Sequence, residues 1–140
     1  MTDVFQLEIV TPDRLVVKED AEEIQIPGKQ GYLGVMPGHA PLITELDVGE
    51  ITYRSHGHSE HLAVAWGFAE VLPEKVTILA ETAERPEEID VARAEESKRR
   101  AEDRLKSGNT EIDVARALKA LRRADVRLQV AGKALVPAQK

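Results

Sequence analysis

Arginines recur at helical spacing in a sequence segment that occurs twice in the chain; this repeated segment is called the phrase below. EIDVARAEESKRRAEDRL is followed by EIDVARALKALRRADVRL, so that Ile112 repeats Ile89 at an offset of 23 residues. In the second copy Arg123 and Arg127 lie one helical turn apart, and their planar donor forks suit the capture of a phosphate chain. The alternative is a solvated helix face of Glu/Arg pairs, each contributing only a few tenths of a kcal/mol, and sequence statistics favour it.

The common sequence motifs for nucleotide binding and nucleophilic catalysis are missing from the sequence. There is no GxxxxGK[ST] phosphate loop, no GxGxxG and no GxSxG nucleophile elbow. His56 and His58, with His61 nearby, invite a metal site, but a polar hairpin turn running into a strand explains them better, because such spacing arises easily by chance. We therefore expect no catalytic residues and no metal site.

The composition restricts the function class further. The 140 residues carry a net charge of −6 and no cysteine, which excludes disulfides and thiolate chemistry. An acidic chain is a poor candidate for binding nucleic acid or an anionic membrane. No apolar run approaches the ~20 residues that span a bilayer, and the N-terminus does not resemble a signal peptide. We expect a soluble intracellular protein that reaches a membrane only through a partner.

The first part of the chain, to about Glu81, predicts β structure. Alternating or apolar runs are separated by Pro- and Gly-containing turns. The clearest runs are Phe5–Ile9, Ile24–Ile26, Ile51–Tyr53, Leu62–Leu72 and Val76–Leu79. Many short strands at close spacing favour an antiparallel sandwich or barrel, and nearly all the aromatic residues lie here, so the main core should too.

The composition changes at Thr82–Pro86 to strong helix formers. Pro86 suits a first helical turn, and the first helix should run to about Lys106, where Ser107-Gly108-Asn109 stops it. Thr110 can cap a second helix that runs to about Val130. So short a connection makes the two helices antiparallel neighbours, which predicts a helical hairpin.

The faces of the two helices predict a marginal hairpin. Val114, Leu118, Leu121 and Leu128 share one side of the second helix, extended by Ala117, Ala124 and Ala131. The first helix has only Leu105 as a large apolar residue after Ile89 and Val91. Two such helices bury little apolar surface against each other. Because burial stabilises by roughly 25 cal/mol per Å² of apolar area, the hairpin should be marginal alone and should need a docking partner. A weakly held element is also what a conformational switch requires.

The segment GYLGVMPGHAPLITEL, Gly31 to Leu46, resembles a signature of the epsilon subunit of the bacterial F-type ATP synthase. VTPDRLVV near the start, LAVAWGFAEVLPEKVTILAETAER from Leu62 to Arg85, and the hairpin resemble that family in the same order. The resemblance covers essentially the whole chain. It implies a β sandwich of about ten strands over residues 1–84 and a two-helix regulatory domain over residues 85–140.

The resemblance also implies that the chain is a subunit of the ATP synthase complex. The subunit would be non-catalytic, would sit in the central rotor stalk, and would couple proton flow to ATP synthesis. Its sandwich would bind the gamma subunit and rest on the ring of c subunits at the cytoplasmic face of the bacterial plasma membrane, as a peripheral component. Its hairpin would extend into the alpha/beta catalytic hexamer to inhibit ATP hydrolysis, and would release the inhibition when folded.

The resemblance further implies that ATP is a regulatory ligand, with no cofactor required. Ile89-Asp90-Val91-Ala92-Arg93-Ala94 fits the family's (I/L)DxxRA motif. Four residues would surround the base and sugar: Glu84, Ile89, Asp90 and Ala94. Three arginines would face the phosphates: Arg93, Arg123 and Arg127. Carboxylates that accept from amino and hydroxyl groups, and arginines that neutralise phosphates, agree with these roles.

The resemblance places the contact with the c ring on one loop. Its residues are Gly31, Tyr32, Leu33, Gly34 and His39. Where this chain has Tyr32 the family often has an acidic residue, so this chain lacks the charged side chain of that contact. We expect His39 to satisfy loop backbone groups. Two alternatives stay open: a free-standing ATP-binding sensor, and an anion- or nucleic-acid-binding hairpin, which the acidity disfavours.

Overall fold

The computed structural model of the chain describes residues 3–107 and 113–135. The chain divides into two compact units, Met1–Glu84 and Arg85–Lys140. The first unit is built of strands and the second of helices, and each is described by itself.

The strands of the first unit form one strongly curved sheet. They are β1 Phe5–Val10, β2 Leu15–Ala21, β3 Glu23–Gly28, β4 Gly31–Val35, β5 Leu42–Leu46, β6 Gly49–Ser55, β7 His58–Val71 and β8 Lys75–Glu84. Their order is β2-β1-β8-β7-β5-β3-β4, and β6 pairs with both β3 and β7. Since β7 pairs through its first half with β6 and through its second half with β5, the sheet folds over itself into a sandwich.

The core of the sandwich lies where the predicted strands place it. Alternate residues of each strand point inward, as the period of two requires. The largest completely buried side chains are Tyr53, Phe5, Leu7, Ile9, Ile24, Ile26, Leu46, Ile51, Leu62 and Ile78. The β-rich half and its core were therefore predicted correctly from the alternation of apolar residues.

The sandwich differs from the prediction in the number and direction of its strands. Eight strands are present in the described residues, not about ten, because β7 and β8 are long. β7 continues through a bend at Trp66 and Gly67, where both φ angles are positive. One pair, β1 with β8, is parallel, so the sandwich is not wholly antiparallel. The two strands lie far apart in sequence, so no short connection forces them to run in opposite directions.

The second unit contains two helices, α1 Val91–Lys106 and α2 Val114–Ala131. Short 3₁₀ turns precede and follow them, Pro86–Glu88 and Gly132–Leu135. The later 3₁₀ turn and the end of α2 lie against Pro86–Glu88, so the helices run antiparallel as predicted.

The first helix begins later than predicted. Pro86 opens a 3₁₀ turn rather than α1, since Ile89 is extended at ψ 127° and interrupts the helix. The predicted stop at Gly108 and Asn109 and the cap at Thr110 lie outside the described residues. Asp113 is the N-cap of α2, which ends at Ala131, one residue beyond the predicted end.

The buried face of the hairpin is narrower than predicted. The buried residues of the helices are Ala94, Ala101, Ala117, Ala124, Val130 and Ala131. Val114 and Leu118, expected on the inner side of α2, are exposed, and Leu121 and Leu128 are half-buried. The seam therefore consists mainly of alanines, which recur every seventh residue in each helix and let the two backbones approach closely.

No helix in the described part of the chain combines the length and the apolar character that crossing a membrane requires.

Candidate functional site

The segment Ile89–Ala94 begins the first helix of the hairpin. Asp90 is the N-cap of α1, and its Oδ1 accepts a hydrogen bond of 3.1 Å from the backbone N–H of Arg93. Ile89 and Ala94 are buried on either side of it, whereas Asp90 and Arg93 are exposed. One carboxylate oxygen of Asp90 therefore satisfies a helix N–H that would otherwise lack an intrahelical partner.

The second copy of the phrase repeats this geometry. Asp113 caps α2 with its Oδ1 3.1 Å from the N–H of Arg116, and its φ and ψ of −74° and 97° are close to the −80° and 97° of Asp90. The IDVARA letters begin a helix both times, so helix capping by itself explains why the aspartate occurs twice. A nucleotide role for Asp90 must add to this structural one.

The two α2 arginines predicted to face the phosphates, Arg123 and Arg127, lie on its second half. An ion pair sets their level relative to α1. Lys98 Nζ is 3.1 Å from Asp125 Oδ1, which joins the two helices. This hydrogen bond to Asp125 raises the pKa of Lys98 above its ordinary value. Because the helices are antiparallel, Arg127 lies on the Asp90 side of this pair. Arg123 lies on the other side, about level with Arg100.

Arg127 therefore lies nearer than Arg123 to the start of α1. It lies two positions beyond Asp125 in that direction, which corresponds to about 3 Å along the helix axis. Arg93 is exposed at the start of α1, and Arg123 is exposed about one turn further from that start than Arg127. The three arginines therefore follow the length of the hairpin rather than forming one compact cluster.

Arg99 and Arg100 of α1 share one carboxylate partner. Glu96 accepts from Arg99 at 2.6 Å and from Arg100 at 3.3 Å, and Arg100 also donates to Ser97 Oγ. These are the Glu/Arg pairs that the solvated-face interpretation predicted. All these side chains are largely exposed, so each pair contributes little to stability.

Glu84, the remaining residue of the predicted ATP site, ends the last strand of the sandwich. It is half-buried and lies opposite Ala63 of β7. Its neighbour Ala83 is buried, so β8 continues as a core strand to the last residue of the first unit. Thr82, where the composition begins to change, is thus still part of the sheet.

The loop predicted to meet the c ring consists of the edge strand β4 and the turn that follows it. The N–H of Gly38 donates to the carbonyl of Pro73 at 2.8 Å, which ties this turn to the turn between β7 and β8. His39 Nδ1 lies 2.7 Å from the carbonyl oxygen of Ala40, so its ring bonds loop backbone. Leu33 packs on the core, whereas Gly31 and Gly34 are exposed.

Tyr32 makes a hydrogen bond that the sequence did not predict. The residue is 61% exposed, yet its Oη accepts a hydrogen bond of 3.0 Å from the backbone N–H of Glu50. Glu50 is itself buried, and its Oε2 lies 2.8 Å from His61 Nδ1. Two sequence signals bear on this bond: a proline inside β3 and a glycine at the start of β6.

The histidines that suggested a metal site have other surroundings. His56 and Gly57 take positive φ angles of 53° and 80° and form the tight turn between β6 and β7, as the polar-turn interpretation predicted. His61 points instead at Glu50. No group of three or more possible metal ligands occurs in the residues described.

An exposed apolar row crosses four strands on the outside of the sandwich and was also missed. Phe68 lies opposite Leu79, Leu79 opposite Val10, and Val10 opposite Leu15. Phe68, Leu79 and Leu15 are each more than half exposed. We call Phe68, Leu79, Val10 and Leu15 the apolar row. The cross-strand register could have revealed it, but register is not readable from a single sequence.

Comparisons with known proteins agree with this two-part organisation. The family described as "ATP synthase, Delta/Epsilon chain, beta-sandwich domain" matches residues 4–86, and "ATP synthase, Delta/Epsilon chain, long alpha-helix domain" matches residues 87–132. The ATP synthase epsilon chain of Koribacter versatilis (strain Ellin345) is 71% identical over 107 residues, which are 76% of this chain and 75% of that protein. That of Solibacter usitatus (strain Ellin6076) is 48% identical over 73% of this chain and 76% of its own.

A solved structure shares the fold at lower sequence identity. One chain of the Euglena gracilis mitochondrial ATP synthase (OSCP/F1/c-ring, rotational state 1) matches with a TM-score of 0.80 at 22% identity, over 94% of this chain and 82% of that one. The similarity extends over both the strands and the helices.

Proposed function

Because this chain belongs to the ATP synthase delta/epsilon chain family, as a bacterial-type epsilon subunit, we propose that it couples rotation to catalysis and restrains ATP hydrolysis. It has no catalytic role of its own in this proposal. It acts as a peripheral component of the central stalk at the cytoplasmic face of the plasma membrane. The observation that carries the proposal is the contrast between a sandwich with a core of large side chains and a hairpin with a seam of alanines.

The sandwich supplies the fixed contacts of the rotor. The apolar row is the surface that we assign to the gamma subunit, since exposed apolar side chains aligned across four strands mark an interaction site rather than scattered exposure. Gly31–Gly34 and the turn at His39 are assigned to the c ring. The ties of this loop to Pro73 and to Glu50 support a contact that must withstand force.

The hairpin supplies the regulation. Its buried residues are mainly alanines, so opening exposes little apolar surface. At roughly 25 cal/mol per Å² of apolar area, opening therefore costs little free energy. Val91, Val114 and Leu118 are already exposed and offer an apolar surface to another partner. We assign the inhibitory state to the opened hairpin bound along gamma and the alpha/beta hexamer.

ATP acts in this proposal as the ligand that favours the closed hairpin. Ile89, Asp90, Arg93 and Ala94 lie at the start of α1, and Arg127 and Arg123 follow along α2. Glu84 belongs to the first unit and stays a prediction of the family resemblance. A nucleotide lying along the two helices would contact arginines of both and would therefore stabilise the closed state against the open one. The spread of the arginines along the hairpin suits an extended triphosphate better than a single phosphate group.

Co-purification tests the place of the chain in the complex. A tagged chain expressed in its own cells should bring down the gamma subunit and the catalytic hexamer. Truncation after Glu84, which keeps β8 whole, should leave assembly intact while hydrolysis loses its restraint. Recovery of the chain alone, still binding ATP, would favour the free-standing ATP sensor instead.

Calorimetric titration tests the ligand. The parent chain should bind ATP, and the double variant Arg123→Ala with Arg127→Ala should lose binding. The matched control is Arg100→Ala with Arg104→Ala, which replaces the corresponding arginines of the first copy and should leave ATP binding unchanged. Equal loss in both pairs would indicate non-specific charge attraction rather than a site.

A further inference from the structure

Strand β4, at the edge of the sheet, is held by one ladder only. It pairs with β3 along its length, and its other side has no strand neighbour in the described residues. A strand with one neighbour is displaced more easily than one with two. This same strand carries Gly31, Tyr32, Leu33 and Gly34, so any partner that pushes on these residues pushes on an edge strand held by one ladder.

The neighbouring ladder ends before it reaches the same level. The pairing of β3 with β6 runs from Glu23 opposite Arg54 to Gln25 opposite Thr52 and goes no further. Pro27 has no N–H to give, and its carbonyl oxygen accepts the N–H of Asp47 at 2.9 Å. The backbone N–H of buried Glu50 must therefore find another acceptor.

The hydroxyl of Tyr32 is that acceptor. The bond of 3.0 Å from Glu50 N–H to Tyr32 Oη passes over β3 and ties β4 to β6 directly. Gly49 makes the approach possible: a Cβ atom there would lie 2.5 Å from Pro27 Cβ and 2.8 Å from Tyr32 Oη. The proline, the glycine and the tyrosine thus make one arrangement, in which a side chain replaces a missing bond of the ladder.

We propose that Tyr32 is a positioning residue of the rotor, which pins β4 to the body of the sandwich so that force on Gly31–Gly34 reaches the rest of the subunit. This inference rests on the proposed contact of that segment with the c ring. The exposed part of the ring offers the partner an uncharged aromatic surface, while the hydroxyl provides the pin.

The chain has two tyrosines, and the second provides a matched control. Tyr53 lies in β6 of the same sandwich and donates its hydroxyl to Glu19. Tyr32→Phe and Tyr53→Phe each delete one hydroxyl and the hydrogen bonding that it provides. In Tyr32→Phe the ring stays, so the surface offered to a partner is unchanged.

Amide hydrogen exchange on the full chain tests the pin. In Tyr32→Phe the Glu50 amide should exchange about tenfold faster, because it loses its acceptor. In Tyr53→Phe the exchange rate of that amide should stay at the parent value. An unchanged Glu50 rate in Tyr32→Phe would overturn the pin.

ATP-driven proton pumping in membrane vesicles tests its purpose. A complex stripped of this subunit is reconstituted with the parent, Tyr32→Phe or Tyr53→Phe chain, and pumping is measured against ATP hydrolysed. Tyr32→Phe should lose pumping at unchanged hydrolysis, and Tyr53→Phe should retain it. Faster Glu50 exchange with full pumping would overturn the role in coupling. If the parent chain does not restore pumping, the proposed function has failed, whatever the exchange result.

Discussion

The sandwich and the hairpin are stabilised by different amounts of buried surface. The sandwich encloses large residues such as Phe5, Ile51 and Leu62 with 1% exposure or less. The described helices of the hairpin bury alanines and Val130. Each isoleucine buried in place of an alanine adds about 2 kcal/mol, at about 0.8 kcal/mol per CH₂ group. One chain thus combines a body that keeps its shape with an element that opens at low cost in free energy.

The alanine seam also explains why the hairpin closes at all. Small residues at every seventh position let the helices approach closely, and the ion pair of Lys98 with Asp125 joins them from the side. The closed state is thus well defined in geometry and weak in free energy. We expect two thermal transitions, a lower one for the hairpin and an upper one for the sandwich, and the following substitutions should move them separately.

The largest effect is expected in the sandwich. Leu62→Ala removes a fully buried side chain and leaves a cavity, which should lower the free energy of unfolding by about 2–5 kcal/mol. Urea denaturation followed by Trp66 fluorescence measures it. The control Leu118→Ala, on an exposed hairpin residue, should leave this transition in place. Equal shifts for the two variants would mean that the units do not unfold separately.

The next largest effect is expected at the seam. Ala101→Leu inserts a large side chain between the helices and should destabilise the hairpin by about 1–3 kcal/mol. Helix content followed by circular dichroism at rising temperature should show the lower transition moving down and the upper one unmoved. Ala92→Leu, on the exposed face of the same helix, is the control. A hairpin that tolerates leucine at residue 101 would contradict the close approach of the helices.

The sequence predicted both halves of this comparison but not their details. Alternation located the strands, and Ala, Glu, Arg and Leu located the helices. The strand count was wrong because β7 passes through the bend at Trp66 and Gly67 without ending. The expected burial of Val114 and Leu118 in α2 was wrong, because the two helices meet at their alanines and leave these side chains exposed.

The candidate sites were less predictable than the fold. The motif letters pointed to Asp90, but they could not show that Asp113 caps its helix in the same way. The bond from Glu50 to Tyr32 joins residues 18 apart, and it depends on Pro27 and Gly49 being brought beside them. Bonds of this kind depend on register and close approach, which composition and periodicity do not determine.

The two caps give a sharper comparison between the copies. Asp90→Ala and Asp113→Ala should each destabilise the hairpin by about 1 kcal/mol, because each removes an N-cap with the same geometry. If Asp90 also holds a nucleotide, only Asp90→Ala should weaken ATP binding beyond this common loss. Calorimetry and thermal unfolding on both variants separate the two roles. Equal ATP affinity in the two variants would leave Asp90 as a cap alone.

The smallest effect is expected at Lys98, and pH reveals it. The bond to Asp125 raises the pKa of Lys98 in the folded hairpin, so the protonated form is favoured by folding. Its contribution is complete below the ordinary lysine pKa of about 10.4 and is lost as pH rises through the higher folded value. Lys98→Met should therefore lower the hairpin transition slightly at neutral pH and leave it unchanged above the folded pKa. Lys106→Met, on an exposed lysine at the end of α1, serves as the control for general loss of charge. A pH-independent difference between Lys98→Met and the parent would attribute the effect to packing of the lysine stem rather than to the ion pair.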